Sequence, residues 1–146
     1  LIRILAKSFA FLALLGWAVT AATAADGVID APTAYDRQQA GALTVIDIRR
    51  PEEWRATGIP ADAEAITLHD PDGHQAFLEK VVASVDGDKA APIALICASG
   101  ARSTWAGNFL ARSGFTNVFN IKEGMLGRGA APGWIARDFP LESVSP

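Results

Sequence analysis

Two kinds of hydrophobic pattern alternate along this chain. Residues 43–48 and 92–96 are short, nearly continuous runs of aliphatic and β-branched residues, bounded by Gly, Pro or charged positions. Runs of that length and type predict strands buried on both faces. Residues 74–85 follow a different period. Phe77, Leu78, Val81, Val82 and Val85 fall at i, i+1, i+4, i+5 and i+8, which puts one apolar stripe on a helix. Further helices are predicted over 33–40, opened by Pro32 and closed by Gly41, and over 51–55, with Pro51 first and Glu52 and Glu53 in its first turn. A helix over 103–113 ends at Gly114. Short strands are predicted over 65–68 and 117–121, and Asp70-Pro71-Asp72-Gly73 is turn chemistry. The stretch 123–141 is rich in Gly and Pro and holds a short helix at most. Strands alternating with helices predict an α/β domain of three layers. A central, mostly parallel sheet of about five strands would carry helices on both faces.

The first 25 residues follow another logic. Arg3 and Lys7 precede an apolar run from Ser8 to Val19, and Ala22-Thr23-Ala24 places small residues where a signal peptidase cuts. The first acidic residue is Asp26. Residues 1–25 are therefore expected to be an export signal and 26–146 the folded domain. The rival reading is a membrane anchor over residues 8–25, although the apolar run is short for a span. Cleavage makes the periplasm or another exported location the expected destination. It also removes two basic residues, so the remaining chain is more acidic than the −3 of the whole. That charge argues against a dedicated nucleic-acid binder. A composition that is 50% hydrophobic and only 20% charged excludes a disordered chain.

A single cysteine excludes an intramolecular disulfide and any multi-cysteine metal site. Cys97 ends the run 92–96 and begins Cys97-Ala98-Ser99-Gly100-Ala101-Arg102-Ser103, directly before a predicted helix. Sites form at the carboxyl ends of strands in open α/β sheets. The small residues let successive backbone N–H groups curl towards one point, and the helix N-terminus adds partial positive charge. Arg102 adds a full one. Each of these favours a thiolate. The loop thus has the parts of an activated nucleophile with a cradle for an anion.

Cys-x-x-Gly-x-Arg-Ser resembles the active-site loop of rhodanese-like sulfurtransferases. The resemblance runs through the chain in order. Val45-Ile46-Asp47-Ile48-Arg49 looks like the family's strand ending in Asp-x-Arg. Glu53-Trp54 and Gly58-Ile59-Pro60-Ala61 resemble its Glu-aromatic and Gly-His-Ile-Pro-Gly-Ala signature. Gly114-Phe115-Thr116-Asn117-Val118 with Glu123-Gly124-Met125, and then Phe139-Pro140-Leu141-Glu142, resemble its later motifs. The chain departs from the pattern at Thr57, at the missing His before Ile59, at Asp62, and at Glu123, which replaces the first Gly of a Gly-Gly pair. The segment 126–134 is also longer than in a minimal domain.

The resemblance implies sulfane-sulfur transfer through a persulfide on Cys97. The backbone of Ala98, Ser99, Gly100, Ala101, Arg102 and Ser103 would hold the sulfur, and Arg102 would orient an anionic donor. Asp47 and Arg49 are expected to form a structural ion pair or loop hydrogen bonds, with a supporting role near the site. The implied partners are a small sulfur anion or persulfide as donor and an external thiol or cyanide-like acceptor, free or carried on a protein, with no metal or organic cofactor. Phosphatases of the same fold carry one more residue between Cys and Arg. A small phosphatase or arsenate reductase is therefore the first rival, and a non-catalytic partner-binding module the second. Trp54, Trp105 and Trp134 are expected in the core. His69 and His74 flank a solvated turn whose spacing fits no zinc or EF-hand pattern.

Overall fold

The computed structural model describes residues 27–144. The expected export signal over residues 1–25 lies outside the described residues. Strand β1 (Val28–Ile29) leads into helix α1 (Ala31–Gln39), whose Asp30 side chain accepts a hydrogen bond from the Thr33 N–H at 2.9 Å and caps the first turn. Then come β2 (Thr44–Asp47), α2 (Pro51–Thr57), β3 (Ile59–Pro60), β4 (Glu64–Ala65), α3 (His74–Ser84), β5 (Ile93–Ile96), α4 (Ala101–Arg112) and β6 (Val118–Ile121). A single 3-10 turn, Ile135–Arg137, precedes β7 (Leu141–Glu142).

The main sheet has five strands in the order β1-β6-β5-β2-β4, all parallel. In the central ladder Thr44 pairs with Ile93 and Asp47 with Ile96; on the other side of β5, Leu95 pairs with Asn120. Side chains alternate across the sheet. Ile46, Ile48, Ile93, Leu95 and Cys97 face α3 and α4, where they meet Phe77, Val81, Ala106 and Leu110. Leu43, Val45, Ala94, Ile96, Phe119 and Ile121 face the other way, against Ala31 and Ala34 of α1 and against Met125 and Trp134 of the C-terminal stretch. Both faces are covered, so these strands read as continuous apolar runs. The same parity sends the sulfur of Cys97 beneath the start of α4.

The expected α/β architecture is present. Several details differ from the sequence reading. The strand expected over 65–68 is β4, Glu64–Ala65, and the helix expected over 33–40 is α1, Ala31–Gln39. Two short pairings escaped it: β1, at the sheet edge, and the antiparallel β3–β7 pair, because two-residue strands carry no periodicity. Helix α4 begins at Ala101 rather than at 103, because Gly100, at φ +88°, turns the chain directly into the helix. Trp105 is not a core residue. It is 42% exposed on the outer face of α4, stacked on Phe109 and tilted against His74, while Trp54 and Trp134 are buried as expected. Among the described residues no helix is long and apolar enough to cross a membrane.

Candidate active site

Cys97 follows β5 and is 1% exposed. The loop behind it is held from both sides. The Met125 N–H donates to the Cys97 carbonyl at 2.8 Å and the Leu126 N–H to the Ala98 carbonyl at 2.9 Å. Gly124, at φ +65°, makes that approach feasible, since a Cβ there would stand 2.5 Å from the Ala98 oxygen. Gly100 turns its N–H onto the Cys97 Sγ at 3.2 Å, and a side chain at that position would collide with the Lys122 carbonyl. Ser103, fully buried, places its Oγ 3.3 Å from the same sulfur.

Two effects compete at the thiol. Burial pushes its pKa up. The Ser103 hydroxyl and the backbone N–H groups of Ser103, Ser99 and Gly100 favour the anion and together prevail, so the thiol lies below its ordinary value of 9.0. The turn at Gly100 is what brings a backbone N–H directly onto the sulfur.

Arg102 stands at the rim, but its charge is shared. Its Nη1 and Nη2 donate to Glu53 of α2 at 2.7 and 2.8 Å. This bidentate pair joins α2 to α4 and holds the Glu53 carboxyl at about 2, with the Arg50 N–H as a further donor. The sequence places Glu53 in a helix first turn and in a motif; that it partners Arg102, 49 residues away, takes the fold to show. Glu53 takes up two of the five guanidinium donors.

Asp47 and Arg49 form the structural pair that was expected. Both are buried, with Nη2 to Oδ2 at 2.7 Å. Arg49 also donates to Thr57 Oγ1 at 2.9 Å and to the Gly58 carbonyl at 2.7 Å, so Thr57 has a defined place in this pair's surroundings. Glu123 has one as well: its carboxylate accepts from the Ala31 N–H at the start of α1, at 3.0 Å. His69 and His74 are both exposed. The pKa of His69 is lowered, by desolvation first and then by the charges of Arg50 and Arg102. Among the described residues no group of three or more His, Cys, Asp or Glu side chains is placed to hold a metal.

Asn120 was missed by the sequence reading. It lies on β6 on the face that meets α4, and its Oδ1 is 2.6 Å from Ser103 Oγ. Its signal was a polar residue at a position where parity along residues 118–121 demands burial.

Residues 30–128 match the Rhodanese-like domain family, and they span the whole of this cradle. The chain belongs to the rhodanese-like domain family. A curated relative, an uncharacterised protein of Rickettsia conorii, is 30% identical over 100 residues, covering 67% of this chain and 81% of its own. Among solved structures, the rhodanese-like domain of an Anabaena protein aligns with TM-score 0.63 at 24% identity, over 82% of this chain and 81% of that one. The polysulfide-sulfur transferase homodimer of Wolinella succinogenes aligns with TM-score 0.60 at 25% identity, over 81% and 79%. A Rhodopseudomonas palustris protein of unknown function, described as a possible tyrosine phosphatase, aligns with TM-score 0.51 at 25% identity, over 75% and 79%.

Proposed function

We propose that this rhodanese-like chain is an exported sulfurtransferase that carries sulfane sulfur on Cys97. The observation that supports this most is the convergence of the Gly100 N–H and Ser103 hydroxyl on a sulfur whose pKa is lowered despite its burial. In the first half-reaction the Cys97 thiolate attacks the outer sulfur of thiosulfate, a polysulfide or a small persulfide. A new S–S bond forms, the donor's own S–S bond breaks, and its electron pair leaves on the donor remnant, sulfite in the case of thiosulfate. The N–H groups of residues 98–103 hold the resulting persulfide anion, and the free donors of Arg102 orient an anionic donor. In the second half-reaction an external thiol or cyanide takes the outer sulfur. The chain has one cysteine, so no internal thiol competes for it.

Treatment with thiosulfate is expected to add about 32 Da, one sulfur atom, to Cys97, and cyanide to remove it as thiocyanate. Absence of the adduct with thiosulfate, polysulfide and persulfide donors alike would overturn the reading. The phosphatase alternative has one observation in its favour, the description of the Rhodopseudomonas palustris neighbour. The loop from Cys97 to Arg102 has six residues, and the resemblance assigns phosphatases one more. Turnover of an aryl phosphate without persulfide formation would decide for that alternative.

A further inference from the structure

Asn120 has a part to play that the loop does not reveal. Its amide orientation is dictated by its neighbours. Nδ2 lies 3.4 Å from the Gly100 carbonyl and 2.9 Å from Thr104 Oγ1. A carbonyl only accepts, so the group facing it is the NH2. Thr104 spends its own proton on the same carbonyl, at 2.7 Å, and therefore accepts from Nδ2. The oxygen end of Asn120 thus faces Ser103 Oγ, at 2.6 Å. An amide oxygen only accepts, so Ser103 must donate its single proton there. Ser103 Oγ is also 3.3 Å from Cys97 Sγ. One hydroxyl proton cannot serve both. While it points at Asn120, Ser103 offers Cys97 a lone pair, which suits a neutral S–H and opposes a thiolate.

We infer that Asn120 is a positioning residue: it holds the Ser103 proton away from Cys97 while that sulfur is neutral and yields it when the sulfur becomes an anion. Rotation of the Ser103 hydroxyl accomplishes the exchange without moving the backbone. The Asn120 oxygen then needs another donor. Ser103, Thr104 and Asn120 line one side of a cavity of about 300 Å³ between α4 and β6, which has room for water.

The use of this exchange in turnover rests on the sulfur-transfer reading. When an acceptor thiolate attacks the outer sulfur, its lone pair forms the new S–S bond. The bond to Cys97 breaks and the electron pair passes to Sγ. Ser103 turns to that sulfur as its charge develops, so its hydrogen bond is made to the departing thiolate and not to the persulfide. An interaction that strengthens only as the bond breaks accelerates the step. In the persulfide the Cys97 sulfur is neutral, and the proton returns to Asn120.

The charged groups on the elements around the loop stay in place in the variants below. Arg102 on α4, paired with Glu53 on α2, couples directly to Cys97; Asp47 and Arg49 lie at and just after the end of β2, His69 after β4, and Lys122 and Glu123 after β6.

The test is the pH dependence of iodoacetamide alkylation of Cys97 in the whole chain. Asn120→Leu keeps the branched shape, with bulkier methyl groups, and removes the acceptor; it is expected to lower the midpoint by about one pH unit. Ser103→Ala is expected to raise it, and Ser103→Thr to restore it. In the Ser103→Ala background, Asn120→Leu should move nothing, because its effect passes through the hydroxyl. An unchanged or raised midpoint in Asn120→Leu overturns the inference, as does an equal shift in both backgrounds. If Asn120→Leu does not fold, a midpoint in Ser103→Ala at or below the wild-type value overturns it alone. Failure to form a persulfide with any donor is a separate result. It removes the sulfur-transfer reading and leaves the midpoints standing.

Discussion

Cys97 is buried at the end of a strand, where a cysteine is ordinarily inert, yet the hydrogen bonds of its loop outweigh its burial and hold its pKa below the ordinary value. Cys97→Ser keeps the shape and removes the nucleophile. It is expected to abolish the sulfur adduct while leaving the thermal midpoint within a few degrees, as mass spectrometry and calorimetry would show. Arg102 and Glu53 make a sharper pair of tests. Arg102→Ala should raise the KM for thiosulfate by about tenfold or more, the loss of one charge-assisted contact. Glu53→Gln should lower that KM, because it frees the guanidinium; equal impairment in both variants would make the ion pair itself the required feature. The same pair gives a pH signature. The Glu53 carboxyl is held at about 2 against an ordinary 4.5, so its contribution is complete above about pH 5 and is lost as pH falls towards 2. Glu53→Gln is therefore expected to destabilise the protein by about 1 kcal/mol at pH 7 and by almost nothing near pH 2 in urea titrations.

At the level of elements, the cradle exists because two glycines permit close backbone approach. Gly100 and Gly124 both lie at positive φ, and both abut a carbonyl from another segment. Gly100→Ala adds a left-handed strain and a collision with the Lys122 oxygen that only backbone movement relieves. A loss of about 2 kcal/mol or more is expected, together with loss of low-pH alkylation at Cys97. The helix stripe was legible in advance: Phe77, Val81 and Val85 are buried where their spacing placed them. Trp105 was not, because residue type cannot tell which side of a helix meets the sheet. On α4 it is Ala106 and Leu110 that turn inward, and Trp105 turns out.

On the scale of the molecule, the sheet must be covered on both faces, and the C-terminal stretch covers what α1 does not. Trp134 is fully buried there, as expected, edge-on to Tyr35 and Phe139, in a Gly- and Pro-rich stretch with little regular structure. Trp134→Ala is expected to cost about 3–5 kcal/mol in denaturant titrations, by opening the second core. That result would show that residues 123–141 belong to the fold as fully as the strands do. The export proposal belongs to this scale too: mass analysis of the protein from the exported fraction is expected to find a chain beginning near Ala25 or Asp26.

The sequence alone determined the strand and helix periods, the parallel α/β class and the place of the Cys97 loop between a strand and a helix. These are local properties: side-chain alternation, helical spacing and the small residues that follow Cys97. The tertiary structure decided the partners. Glu53 reaches Arg102 across 49 residues, Glu123 caps a helix 92 residues earlier, and Asn120 meets Ser103 because β6 lies beside β5 with its polar residue turned towards α4. A proton or a charge responds to whatever is nearest in space, and distance in space is set by strand order and register, which no local pattern encodes.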